Sequence, residues 1–171
     1  PNVDVVDVSR EPIECFTRDG LRMGGKTHPI DVVIFATGYD AMTGAMLAID
    51  IRGTDGRPLR DAWSGGPRTY LGLATVGFPN MFIVAGPGSP SVLSNMVIAA
   101  EQHVEWIADC LETLRRQDVE TIEATLPAQD AWVEHVNAVA EQTLYTRCNS
   151  WYLGANIPGK PRVFMPLIGF P

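Results

Sequence analysis

Ile30-Asp31-Val32-Val33-Ile34-Phe35-Ala36-Thr37-Gly38-Tyr39-Asp40 is the stretch on which the reading of the fold turns. From Ile30 to Ala36 apolar side chains follow one another almost without alternation. Such a run suits a strand covered on both faces, as in a parallel sheet. It spills directly into Thr37-Gly38-Tyr39-Asp40, and in open α/β sheets the ligand crevice lies just beyond the carboxyl ends of the strands. Met81–Ala85 repeats the pattern and runs into Gly86-Pro87-Gly88-Ser89-Pro90. Two buried strands, each feeding a glycine-containing loop, predict an α/β cofactor domain.

On the amino-terminal side, Val3–Val8 alternates as a half-buried strand does, and Ile13–Thr17 reads as a second short strand. Arg18-Asp19-Gly20 makes a turn, and Leu21–Met23 starts a third strand that Gly24-Gly25 ends. Between the two apolar runs, Ile49–Gly66 is polar and turn-rich, an excursion with short strands. From Ser94 the period becomes helical: Val97, Ala100, Val104, Ile107, Leu111 and Leu114 fall on one stripe. Ser94 or Asn95 supplies the N-cap, and Arg115-Arg116 suits the last turn of that helix. A second helix starts near Pro127, with Trp132, Val136, Val139, Ala140 and Leu144 as its apolar face. From Cys148 onward Gly154, Pro158, Gly159 and Pro161 interrupt regular structure before Val163-Phe164-Met165, yet Trp151, Tyr152 and Ile157 are too apolar for an idle segment.

With 171 residues, 46% of them hydrophobic, the chain has the composition of a globular domain with a real core. A net charge of -7 argues against a nucleic-acid partner, since phosphate binding needs clustered Lys and Arg. Cys15, Cys110 and Cys148 are odd in number and widely spaced, which predicts free thiols in a reducing, cytoplasmic compartment. No apolar run approaches the ~20 residues that cross a bilayer, and no signal peptide opens the chain. Pro1 and the Gly169-Phe170-Pro171 ending both read as cut ends.

Two short motifs point to chemistry. Ala36-Thr37-Gly38-Tyr39-Asp40 brings backbone and polar groups to a strand end; a ligand-contacting turn and an ordinary strand-to-loop turn both satisfy it. Gly86–Met96 delivers a helix amino terminus, whose orphan N–H groups at Asn95 and Met96 favour an electron-rich partner such as the pyrimidine edge of a reduced flavin. A capped helix start with nothing bound fits the same residues. His103 with Glu101, Glu105 or Asp109 does not share one helical face and lacks HExxH spacing, so no metal is expected. His135 with Cys148 lacks any other mark of a nucleophile pair, and His28, His103 and His135 read as structural or solvated.

At Thr37-Gly38-Tyr39-Asp40-Ala41-Met42-Thr43-Gly44 the chain strongly resembles the Baeyer–Villiger monooxygenases of the cyclohexanone and phenylacetone type. The likeness continues through Gly66–Gly72, Gly77–Asn80, Gly86–Met96, Glu101–Trp106 and Asn149–Lys160, in the family's order. It implies an α/β fold: the carboxy-terminal part of a Rossmann-like FAD-binding domain (residues 30–147), a remnant of the NADP-binding domain (1–29), and a mobile cofactor- and substrate-covering loop with a final strand (148–171).

The same resemblance implies roles. Thr37, Gly38, Tyr39, Asp40, Asn95 and Met96 lie beside FAD, Ser91, Val92 and Leu93 shape a ketone pocket, and Trp151 reaches NADP when its loop closes. Lys160 shares that loop without an assigned contact. The implied activity uses NADPH and O2 to insert one oxygen atom beside a ketone carbonyl, giving an ester or lactone. The family's GxGxxG turns, its FxGxxxHxxxWP fingerprint and its active-site arginine are not in this sequence, so no catalytic residue is assigned and the chain alone is expected to be inactive. Two rivals are a flavin monooxygenase acting on nitrogen or sulfur, which the Asn149–Lys160 block disfavours, and a non-catalytic binding module. A partial sheet also predicts self-association of the chain through exposed edges.

Overall fold

The computed structural model describes residues 2–40, 42–90 and 95–169. Two compact units meet in sequence between Thr37 and Gly38.

The first unit is built on a three-stranded antiparallel meander: β1 (Ile13–Thr17), β2 (Gly20–Met23) and β3 (Lys26–His28), in that order. Thr17 faces Gly20 across the turn and Leu21 pairs with His28. The ladder slips between Ile13 and Cys15, and Glu14 at the slip accepts a 2.7 Å bond from the Gly25 N–H and pairs with Arg22 at 3.0 Å. The extra residue of such a bulge is used here to tie the second turn back to β1. Phe16 meets Phe35 edge to face, with centroids 5.6 Å apart.

Three predicted strands do not form. Val3–Val8, Ile30–Ala36 and Met81–Ala85 carry no ladder among the described residues. A strand needs a neighbouring strand to take its N–H and C=O groups. Val3–Val8 and Ile30–Ala36 find no such neighbour among the described residues, and Met81–Ala85 bonds instead to a loop and a side chain, Ile83 N–H to the Leu73 carbonyl and Ala85 N–H to His103. Val32, Ile34 and Phe35 consequently stand exposed instead of buried on two faces, and Val5, in a run expected to be half-buried, is exposed as well. Val163–Met165 likewise runs without a partner strand, although Phe164 and Met165 are buried. β3, in turn, is a strand that periodicity did not mark.

The second unit is helical. Short helices α1 (Gly44–Leu47) and α2 (Leu59–Ala62) precede α3 (Met96–Arg116) and α4 (Leu126–Glu141), and two 3-10 turns follow at Tyr145–Arg147 and Trp151–Leu153. Asn95 caps α3 by accepting the Val97 N–H at 2.9 Å, and Arg115 and Arg116 close its last turn. Thr125 caps α4, with Pro127 in the first turn where a missing N–H costs nothing. Of the stripe expected on α3, Ala100, Ile107 and Leu114 are half-buried, whereas Val97, Val104 and Leu111 are exposed. His103 is the buried residue of that helix.

Two cores hold this unit. Leu59, Trp63, Phe78 and Ile83 form one; Val136, Ala140, Leu153, Phe164 and Leu167 form the other, with Trp132, Tyr145 and Tyr152 against it. Each buried Val, Leu, Ile or Phe among them contributes about 1.5–3 kcal/mol by leaving water. α4 thus buries the predicted Val136 and Ala140, while Leu144 stays outside. No described helix is long and apolar enough to cross a membrane.

Candidate functional site

Asp40, the last residue of the Thr37–Asp40 motif, is fixed from both sides. Its carbonyl accepts the Gly44 N–H at 2.9 Å and so opens α1. Its side chain packs on Gly44, where an added Cβ would come within 2.8 Å of the Asp40 Cβ. The buried Thr43 hydroxyl lies 3.5 Å from Asp40 Oδ1 as donor. From the far end of the chain comes Lys160, which pairs with Asp40 Oδ1 and donates to Thr43 Oγ1 at 2.8 Å. The Lys160 side chain is only 10% exposed.

One turn earlier, the Asn156 side-chain amide donates to the Tyr39 carbonyl at 2.9 Å. The segment that carries Trp151 is therefore joined twice to the Tyr39–Asp40 turn. Beside the junction lies a cavity of about 260 Å³, walled by Asp40, Thr43, Leu47, Trp63, Lys160 and Pro161 among others. Trp63 is almost wholly buried, and its Nε1–H has no acceptor among the described residues.

Trp151 itself is 40% exposed and stacks edge to face on Tyr152, centroids 5.2 Å apart. Tyr152 meets Tyr145, and Tyr145 meets Phe164. This aromatic chain carries the Trp-bearing turn down to the second core, while the indole of Trp151 stays available.

The Gly86–Pro90 loop is held from below. Trp132 Nε1 donates to the Gly88 carbonyl at 3.1 Å, Thr69 Oγ1 donates to the Pro87 carbonyl, and the Leu167 N–H donates to the Pro90 carbonyl at 3.0 Å. Ser89, itself buried, turns its hydroxyl onto the Gly86 carbonyl at 2.8 Å. The loop leads toward α3, whose first residues Met96, Val97 and Ile98 are exposed and open to a partner. Ser91, Val92 and Leu93 lie outside the described residues, as does Ser94.

The structure brings Gly38, Tyr39 and Asp40 to one turn and Trp151 to the segment bonded to it. Thr37 closes the first unit and is exposed. Asn95 and Met96 sit at the start of α3, with Asn95 occupied as the cap. Asn156, Lys160 and Thr43 are the functional candidates that sequence reading left without a contact. A lone lysine set between Gly159 and Pro161 in an apolar segment was the available signal, because a nearly buried ammonium requires a partner.

No protein-family model matches the chain. It is 44% identical over 170 residues to an acetone monooxygenase (methyl acetate-forming) of Gordonia sp. (strain TY-5), covering 98% of this chain and 32% of that protein. A Baeyer-Villiger monooxygenase of Pseudooceanicola batsensis is 43% identical over 165 residues, 96% of this chain and 30% of its own length. Among solved structures, cyclohexanone monooxygenase from Rhodococcus sp. Phi1 bound to NADP+ superposes with a TM-score of 0.91 at 38% identity, covering 99% of this chain and 32% of that one. A structure of OTEMO in complex with FAD and NADP gives 0.89 at 34% identity, with 99% and 31% covered. These neighbours bind FAD or NADP, so the α/β class fits even though the ladder here is small. The chain spans about a third of the length of the relatives it matches, and over nearly all of its own residues it is a homologue of the Baeyer–Villiger monooxygenases.

Proposed function

We propose that the protein carrying this chain is an FAD- and NADPH-dependent Baeyer–Villiger monooxygenase that converts a ketone to an ester or lactone with O2. The observation that carries this reading is the near-complete match of the chain to relatives so named, at 43–44% identity. The residues present suit the cofactors. The capped but exposed amino end of α3 offers N–H groups and the positive end of a helix dipole to the electron-rich rim of a flavin. The Gly38–Asp40 turn offers backbone for close approach, and Trp151 offers a ring and an N–H to a nucleotide.

When bound, the flavin supplies the oxygen-activating redox chemistry. The work of this chain is to position and to shield. The Gly86–Pro90 loop is pinned by Trp132, Thr69 and Leu167; it precedes in sequence Ser91, Val92 and Leu93, the residues proposed to wall the ketone. Trp151, on a turn anchored through Tyr152 and Tyr145, is proposed to cover NADP and keep water out. Three free cysteines accord with a cytoplasmic setting.

The test is to purify the full-length protein that contains this segment, record its flavin spectrum, and supply NADPH, O2 and a cyclic ketone. The expected result is a yellow protein that consumes NADPH and forms a lactone one oxygen atom heavier than the ketone. Oxidation of an amine or thioether with no lactone from any ketone would shift the reading to a nitrogen or sulfur monooxygenase. A colourless, cooperatively folding monomer would leave only a binding module.

A further inference from the structure

We propose that Lys160 is a positioning residue whose ammonium, set between Asp40 and Thr43, latches the Trp151-bearing segment onto the turn that follows Gly38. Three observations converge on it. First, the contacts are long-range: Lys160 reaches Asp40 and Thr43 across more than half of the chain and is nearly buried there. An ammonium so placed needs partners that replace the water it has lost.

Second, both ends of the latch are shaped to receive it. Gly154 adopts a left-handed φ of 74°, and a Cβ there would lie 2.9 Å from Lys160 Cδ and 3.2 Å from Cε, so the lysine stem passes where only glycine leaves room. Asp40 is seated on Gly44 in the same way, which fixes the carboxylate before the lysine arrives. Third, Asn156 adds a second tie, to the Tyr39 carbonyl, within four residues of Lys160. A segment tied at Asn156 and Lys160 holds Trp151 and Tyr152 at a set distance from the turn. Releasing the charged tie leaves the segment held by Asn156 and by the seating of Tyr152 and Leu153 on the second core, so it opens more often, and Trp151 then spends less time where it can cover a nucleotide.

This rests on the reading that Trp151 covers NADP, and the test separates the two. In the full-length protein, chymotryptic cutting after Trp151 and Tyr152 is followed without nucleotide, and steady-state kinetics are measured with NADPH. Lys160→Met and Asp40→Asn are each expected to speed that cutting about tenfold, with the double variant no faster than the faster single, as a shared interaction requires. Lys160→Arg, which keeps the charge, is expected to restore most of the protection and controls for folding. Lys160→Met is also expected to raise KM for NADPH about tenfold while kcat at saturating NADPH changes less than about threefold. Cutting of Lys160→Met at the parent rate, or effects of the two singles that multiply in the double, would overturn the latch. If the cutting behaves as expected but the parent protein ignores NADPH, the latch stands and the functional reading falls.

Discussion

The backbone N–H of Ala85 donates to Nδ1 of His103 at 3.0 Å, tying the segment that precedes Gly86 to the buried face of α3. Ala85 sits in the left-handed region at φ 53°, a conformation that costs a non-glycine residue roughly 1 kcal/mol and needs such a tie to hold it. An acceptor at Nδ1 requires neutral imidazole. Burial pushes the His103 pKa below its ordinary value, which also favours the neutral ring.

The sign of the linkage follows. The unfolded chain takes up a proton on this ring near pH 6.5, the folded one only at lower pH. His103 therefore contributes stability in full above the unfolded value, and that contribution is lost as pH falls through the window beneath it. Urea unfolding of the protein between pH 7.5 and pH 5.5 should show the loss, and His103→Gln should flatten that slope. His103→Ala leaves the Ala85 N–H unpaired and should cost about 1–3 kcal/mol at pH 7.5. An unchanged pH slope in His103→Gln would assign the effect to other groups.

Asn95 gives a second test. Its side chain accepts the Val97 N–H at 2.9 Å, at the helix end proposed to meet the flavin. Asn95→Ala removes the cap and should lower stability by about 1 kcal/mol, while Asn95→Asp keeps it. If the helix end also meets the electron-rich rim of the flavin, Asn95→Asp adds an unfavourable charge there. Flavin affinity of the full-length protein should then fall in the Asp variant although stability does not, a split that equilibrium dialysis and thermal unfolding would resolve.

Gly72 bears on the loop that leads to Ser91. At φ 69° a Cβ on it would meet the Ser89 side chain at 2.2 Å and the Gly86 carbonyl oxygen at 2.9 Å. Ser89 is buried and bonded to Gly86, so it has nowhere to move. Gly72→Ala should displace the Gly86–Pro90 loop and destabilise the protein by about 2 kcal/mol or more. A fall in affinity for ketone should accompany it, read from KM for the ketone at saturating NADPH.

Local rules decided what could be read in advance. Capping needs only neighbours in sequence, so Asn95 (one of two caps expected), Pro127 and Arg115-Arg116 land where α3 begins, α4 begins and α3 ends, although the Thr125 cap of α4 is seen only in the structure. The β1–β2 turn at Arg18–Gly20 is equally local. The apolar runs are not. Val32 to Phe35 carries the composition of a doubly covered strand, but composition does not supply a partner, and none pairs with it among the described residues. At the site, the likeness to a family directed attention to Thr37–Asp40 and Trp151. Lys160 to Asp40 is a contact between opposite ends of the second unit, and no periodicity encodes that distance. His103, read as structural or solvated, is structural: it is the buried acceptor that holds a left-handed alanine in place, a partner that only the fold reveals.

The unpaired run also makes a prediction of its own. Val32, Ile34 and Phe35 are 76%, 85% and 72% exposed, on a stretch whose backbone lacks ladder partners among the described residues. Apolar side chains beside unpaired N–H and C=O groups form a template for adding a strand from another copy. Expressed by itself, the chain should therefore associate in a concentration-dependent way, seen as growth in light scattering and in sedimentation coefficient. Val32→Lys with Ile34→Lys places two charges on that run, at side chains that are already exposed. Repulsion between copies at close range then opposes pairing, and the double variant should sediment as a monomer at concentrations where the parent chain does not. If both chains associate alike, the contact lies elsewhere, with the exposed Val97 and Val104 on α3 next to be charged.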